Sequence, residues 1–143
     1  MIHRSFILDT LVDVIVRTAL VFSLFLLFSG HNSPGGGFVA GLVFGISLVL
    51  QYLAGGLREM EEILPASAET ILGAGLSLAL FTGIAGWAWG DAFLETTYVE
   101  TEVPVLGVIK ATSALSFDIG VFAIVVGLVA ALVLTFGAKD EAA

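Results

Sequence analysis

The sequence predicts an all-α membrane protein with four transmembrane helices and both termini in the cytoplasm. Three observations carry this expectation. The 143 residues are 58% hydrophobic and only 13% charged, against about 25% charged in a typical soluble domain. The mean hydropathy is +1.07, so a folded chain has too little polar surface to face water. The apolar residues fall into four continuous runs, at about 11–29, 36–54, 68–89 and 112–136. Each is long enough for a helix to cross the ~30 Å hydrocarbon core, which takes about 20 residues. Lipid offers the backbone no hydrogen-bond partners, so helix is favoured, and the runs lack the alternating polarity of a barrel strand.

The orientation rests on the placing of Lys and Arg. With four spans, both ends and the middle link share one side. That side holds Arg4, Arg58 and Lys139, with Arg17 snorkelling to it, while Lys110 lies on the other. Basic residues mark the cytoplasmic side. Trp87, Trp89 and Tyr98 fit an aromatic belt at the outer end of the third span. The chain 1–143 reads as a single membrane domain.

The links differ in chemistry. His31-Asn32-Ser33-Pro34-Gly35 has the composition of a turn. The stretch 56–65 reads as a charged link in which Arg58 pairs with Glu61 or Glu62, and Glu59, Glu61 and Glu62 read as solvated. Ser67 suits an N-cap for the third span, with Glu69 in the first turn, where the helix dipole favours an anion. The longest link runs from Gly90 to Gly107. Its segment Thr97–Val103 alternates and is β-branched, which predicts an extended run up to Pro104. Asp91, Glu95, Glu100 and Glu102 make that link acidic.

Composition excludes several classes. No cysteine is present, which removes disulfides and thiolate metal sites. The net charge of -8 argues against nucleic acid, whose phosphates need clustered Lys and Arg. Asp9 and Asp13 stand where a cleavable signal peptide has basic residues. No metal-ligand spacing, phosphate loop or nucleophile–base pair occurs, so neither an enzyme nor a bound cofactor is expected.

The most distinctive string is Gly30-His31-Asn32-Ser33-Pro34-Gly35-Gly36-Gly37-Phe38. Its glycines allow positive φ and close backbone approach, and Pro34 stops a helix. It reads either as a tight hairpin between two spans or as a proton or cation contact at His31. Gly37, Gly41 and Gly45 then recur every four residues, forming a smooth stripe on the second helix. Such a stripe admits another helix at close range, either in the same chain, as against the first helix, or in a partner subunit.

The string GHNSPGGGFVAGL between two hydrophobic spans of a four-span chain resembles the MnhB/MrpB family, whose members are subunits of the multisubunit Mrp-type Na⁺/H⁺ antiporters. Ala40 departs from the glycine that this family often shows there, a small-for-small change. The resemblance implies an accessory subunit of a membrane complex that exchanges Na⁺ for H⁺ across a prokaryotic cell membrane. Related subunits occur in membrane-bound hydrogenase complexes, which leaves a purely structural or assembly role as the alternative. A stand-alone dimeric transporter is disfavoured, because Asp13 lies too near the membrane edge to be its central acid.

Candidate ion-access residues are few. A charge at a helix centre costs roughly 2.5–3.5 kcal/mol on insertion scales, so such groups tend to mark pathways. Asp118 is one carboxylate inside an otherwise apolar fourth span, one to two turns from its outer end. Lys110 stands two turns before it, about 12 Å along a helical axis. Asp118 reads either as an interfacial carboxylate paired with water or a neighbouring subunit, or as a point of cation or proton access. Asp13 and Arg17, four apart on the first span, read either as a snorkelling arginine neutralised by its own helix or as a proton relay.

Overall fold

The computed structural model describes residues 6–30, 36–88, 98–103 and 107–142. Its elements are α1 (Phe6–Ser29), α2 (Gly37–Ile63), α3 (Ala68–Ala88), β1 (Tyr98–Val103), β2 (Gly107–Thr112) and α4 (Ser113–Ala142). Among the described residues, four helices are long and apolar enough to cross a membrane. The four predicted spans fall on these helices. Every one but α3 is longer than its span, and α2 and α4 continue into charged ends beyond the apolar stretch.

The sequence explains the helices at the level of single groups. In lipid a hydroxyl must find its partner within the protein. Thr18, Ser47, Ser77, Thr82 and Thr135 each donate to a carbonyl three or four residues earlier in their own helix, at 2.6–2.8 Å. Ser67 caps α3 as expected, with the Thr70 amide donating to its Oγ at 3.3 Å. Arg58 pairs with Glu62 at 3.3 Å.

The reading of 56–65 as a link needs correction. The helix of α2 runs on to Ile63 and is kinked at Gly56, where φ is 82° and ψ is -177°. A residue with a Cβ avoids that conformation, so glycine permits the kink that joins two helical segments here. The long outer link also holds more structure than expected. β1 occupies the predicted extended run, but β2 pairs with it antiparallel, from Tyr98 opposite Thr112 to Val103 opposite Gly107. Trp89, Asp91, Glu95 and Pro104 lie outside the described residues.

Packing places α4 between α2 and α3, while α1 lies on α2 and touches α4. Phe44, Leu48, Met60, Ala68, Val126 and Ala130 form the buried core. The outward faces are apolar too, with Val21, Phe25, Ile46, Leu53, Phe81 and Phe136 all exposed. An apolar exterior over an equally apolar interior is what a protein solvated by lipid or by partner helices shows, and a soluble monomer does not.

Close approach is made by small residues at two seams. On the α2–α4 seam, a Cβ built on Gly41 would lie 2.7 Å from Val125 Cβ, and one on Gly45 would lie 3.0 Å from Val129 Cγ2. On the α3–α4 seam, Gly75, Gly120 and Gly127 bring backbones together. A Cβ on Gly120 would stand 2.9 Å from both the Ala79 nitrogen and the Gly75 oxygen. The glycine stripe of α2 therefore faces α4 of its own chain, and not α1, the intramolecular partner expected from sequence.

Candidate functional site

The candidate site begins where α2 begins. Gly36 is the residue before α2 and has φ 92°. It is buried, and its amide donates to the Leu26 carbonyl at 3.1 Å, tying the start of α2 to α1. That conformation and that position explain one glycine of the motif. Gly37 explains the next, since a Cβ there would overlap the carbonyl oxygen of Asp118 on α4.

Asp118 is the sixth residue of α4 and is half-buried. A Cβ on Gly36 would lie 3.5 Å from Asp118 Oδ2 and 3.8 Å from Oδ1. The carboxylate thus sits against the N-terminal end of α2. There the first amides lack helical partners and the helix dipole is positive, which favours an anion. Gly36 has no side chain with which to cap that end. One turn further along α4, Phe122 stacks on Phe44 of α2, with ring centroids 6.4 Å apart. The carboxylate therefore lies between the motif and an aromatic contact.

Two features read separately in the sequence, the glycine motif and the acid of the fourth span, meet at this point. Gly30, directly after α1, is half-buried, and Phe38 faces outward. His31, Asn32, Ser33, Pro34 and Gly35 lie outside the described residues.

Other candidates are not brought to this site. Arg17 bridges Asp13 at 2.9 Å, with both side chains largely exposed, as the spacing of four predicted. Arg17 also lines an open groove with Thr18, Val21, Phe22 and Phe25. Asp13 lies thirteen residues along α1 from Leu26, about 20 Å at the helical rise. Lys110 is on β2, opposite Glu100, and not on a helical run into Asp118. Among the described residues, no group of three His, Asp or Glu side chains could hold a metal ion.

Sequence reading missed two things. The α3–α4 seam was visible as Gly75 with Ala79 and as Gly120 with Gly127, but their partner was not. Glu59 is not simply solvated. It is half-buried, and its carboxylate lies over Gly55 and accepts from Gln51 Nε2 at 3.5 Å.

Comparison with known proteins agrees with this architecture. Residues 7–131 match the family described as a domain related to the MnhB subunit of Na⁺/H⁺ antiporter. The chain is 39% identical over 137 residues to the corresponding Na⁺/H⁺ antiporter subunit of Bacillus subtilis, covering 96% of each. It is 37% identical over 134 residues to the counterpart from Alkalihalophilus pseudofirmus, covering 94% of this chain and 93% of that one. Its fold matches a chain in the structure of the Mrp complex from Dietzia sp. with a TM-score of 0.77 and 29% identity, over 92% of this chain and 14% of that longer one. With four membrane-length helices, the glycine motif and relatives aligned over nearly its full length, the chain belongs to the MnhB family of Na⁺/H⁺ antiporter subunits.

Proposed function

We propose that this chain is an accessory membrane subunit of a multisubunit Na⁺/H⁺ antiporter complex in a prokaryotic cell membrane, and that Asp118 contributes to ion access within it. The observation that carries the reading is the seating of Asp118 against Gly36 and Gly37, where α2 begins. The relatives bear the name of antiporter subunits, and the matched fold belongs to an Mrp complex. The apolar outward faces supply surface for lipid and for partner subunits. The chain acts as one membrane domain, with both termini cytoplasmic and the motif turn outside. Na⁺ and H⁺ are the ions of the whole complex. This chain supplies one carboxylate near their path, while Asp13 and Arg17 neutralise each other at the opposite membrane edge.

The test is Asp118→Asn, which keeps size and removes charge. Assembly is read on blue-native gels and antiport in everted vesicles. The expected result is an intact complex with partly reduced antiport, and Asp118→Glu retaining more activity than Asp118→Asn. An assembled Asp118→Asn complex with full antiport would remove the ion-access role and leave a packing role.

A further inference from the structure

The packing of the helices sets the depth of Arg17. The Gly36 amide donates to the Leu26 carbonyl, and a Cβ on Gly37 would overlap the Asp118 carbonyl oxygen. Leu26, Gly36 and Asp118 therefore share one level. Nine residues further along α4, a Cβ on Gly127 would lie 2.7 Å from the Leu72 nitrogen and 3.0 Å from the Ala68 oxygen, at the start of α3. Arg17 lies nine residues from Leu26 along α1, in the same direction. Nine residues rise about 13.5 Å in either helix, so Arg17 is level with the first turn of α3. Glu69 in that turn is exposed, which marks the edge of the apolar slab. An arginine at this depth carries its charge to the boundary on its long stem.

The outward face of α1 is charged at this boundary and apolar above it. The Arg17 side chain is 78% exposed, and Nη2 meets Asp13 Oδ2 at 2.9 Å. Nε donates to Asp13 Oδ1 at 3.3 Å. This two-pronged pair takes two of the five guanidinium N–H groups. The other edge of the fork suits a phosphate outside the chain. Asp13, one turn nearer the water, is itself 55% exposed, and Asp9 stands a further turn on. In the opposite direction an open groove runs from Arg17 past Thr18, Val21, Phe22 and Phe25. The Thr18 hydroxyl is spent on the Val14 carbonyl at 2.8 Å. The Phe22 and Phe25 rings stack with centroids 6.4 Å apart. From Arg17 to the exposed Phe28 is eleven residues, about 16 Å, or one half of the ~30 Å hydrocarbon core.

This order of chemistry, apolar track, cation, then anion toward water, is complementary to a phospholipid with an ammonium headgroup, in which acyl chain, phosphate and ammonium follow in the same order. A partner helix fits this face less well. The seams inside this chain are made by glycines, as close helix packing in membranes favours. Helix α1 contains no glycine, and its outward face bears Val21, Phe22, Phe25 and Phe28. We propose that Asp13, Arg17 and the groove up to Phe25 bind a phosphatidylethanolamine-type phospholipid from the leaflet on the side of the chain termini. Its phosphate lies on Arg17, its primary ammonium on Asp13, and one acyl chain along Val21, Phe22 and Phe25. The site is separate from Asp118 and does not depend on the role given to that carboxylate.

The experiment uses the whole complex with Val21→p-benzoylphenylalanine, a photoreactive group at a 69% exposed position of the groove. The complex is reconstituted in phosphatidylglycerol vesicles with tracer amounts of radiolabelled phosphatidylethanolamine or phosphatidylcholine, and illuminated. Phosphatidylcholine carries the same phosphate, but its methylated ammonium has no N–H to donate to Asp13. The label should appear on this chain. An exposed charge pair contributes up to about 1 kcal/mol, so the ethanolamine lipid should label about fivefold more than the choline lipid. Arg17→Gln should lower both yields by a similar factor, whereas Asp13→Asn should abolish only the preference between the two.

A crosslink to another subunit, or to a second copy of this chain, would show the face to be covered by protein and overturn the proposal. Equal labelling by the two lipids would mean unselective lipid contact and overturn it too, as would an assembled Arg17→Gln complex with native yields. The comparison of the two lipids leaves residues 13 and 17 native, so it decides the matter even where Arg17→Gln fails to assemble.

Discussion

Gly37→Ala tests the close approach on which the candidate site depends. A methyl at this position would overlap the Asp118 carbonyl oxygen, and would lie 2.7 Å from the carbonyl carbon and 3.0 Å from Cα. These are backbone atoms of a helix, so no rotamer change relieves them. Restoring even the 2.7 Å contact to an ordinary 3.4 Å parts the helices by at least about 0.7 Å, the overlapping oxygen demands more, and gaps of that size forfeit a quarter to a half of each dispersion contact they open. Overpacking of this kind costs about 1–3 kcal/mol. Gly→Ala returns up to about 1 kcal/mol of helix propensity in a helix interior, but Gly37 is the first residue of α2 and recovers little. A net loss of about 2 kcal/mol is expected there. A Cβ on Gly41 would lie 2.7 Å from Val125 Cβ and 3.2 Å from Phe122 O, while the three atoms nearest a Cβ on Gly45 all belong to the Val129 side chain, at 3.0–3.3 Å. Gly45→Ala should therefore fall near zero, with Gly41→Ala between. The assay heats the detergent-extracted complex and follows retention of this chain on blue-native gels. The expected order of loss is Gly37→Ala first, then Gly41→Ala, with Gly45→Ala close to the native chain. Equal behaviour at all three positions, or native retention of Gly37→Ala, would refute the reasoning.

Three further outcomes follow from the same structure. Gly41→Leu should release the chain from the complex, because four more carbons cannot fit against Val125, whereas normal assembly with normal antiport would show the seam to be loose. Gly120→Leu should be at least as damaging, since it would drive a side chain into the Gly75 and Ala79 backbone of α3, and abundance of the chain in the membrane checks it. Cysteines introduced at Ser33 and Glu100 should react with an impermeant reagent from outside, and one at Glu61 only after permeabilisation. The reverse pattern would invert the orientation and leave the helix packing untouched.

Much of this protein was legible without coordinates, because the signals are local. Spans of about 20 apolar residues must be helical in lipid whatever their neighbours. The Asp13–Arg17 bridge, the Arg58–Glu62 pair and the Ser67 cap each lie within four residues of sequence, so the helical repeat alone brings them together. The glycine stripe announced a close contact by its spacing. It could not name α4 as the partner, because a helix one turn-loop away and a helix about 80 residues away present equally suitable faces. That choice rests on complementary shape summed over two seams, Gly37 to Gly45 on one side of α4 and Gly75 with Gly127 on the other. The extent of α2 was also undecided. Gly55-Gly56 followed by charged residues has the composition of a link, yet the segment beyond it stays helical because Met60 is fully buried in the core with Leu48 and Ala68. Sequence alone determined the spans, the capping and the residues able to approach closely. Tertiary structure alone decided that the motif glycines and Asp118 share one place, since only the packing of α4 on α2 brings residues about 80 positions apart to within 3.5 Å of a would-be Cβ.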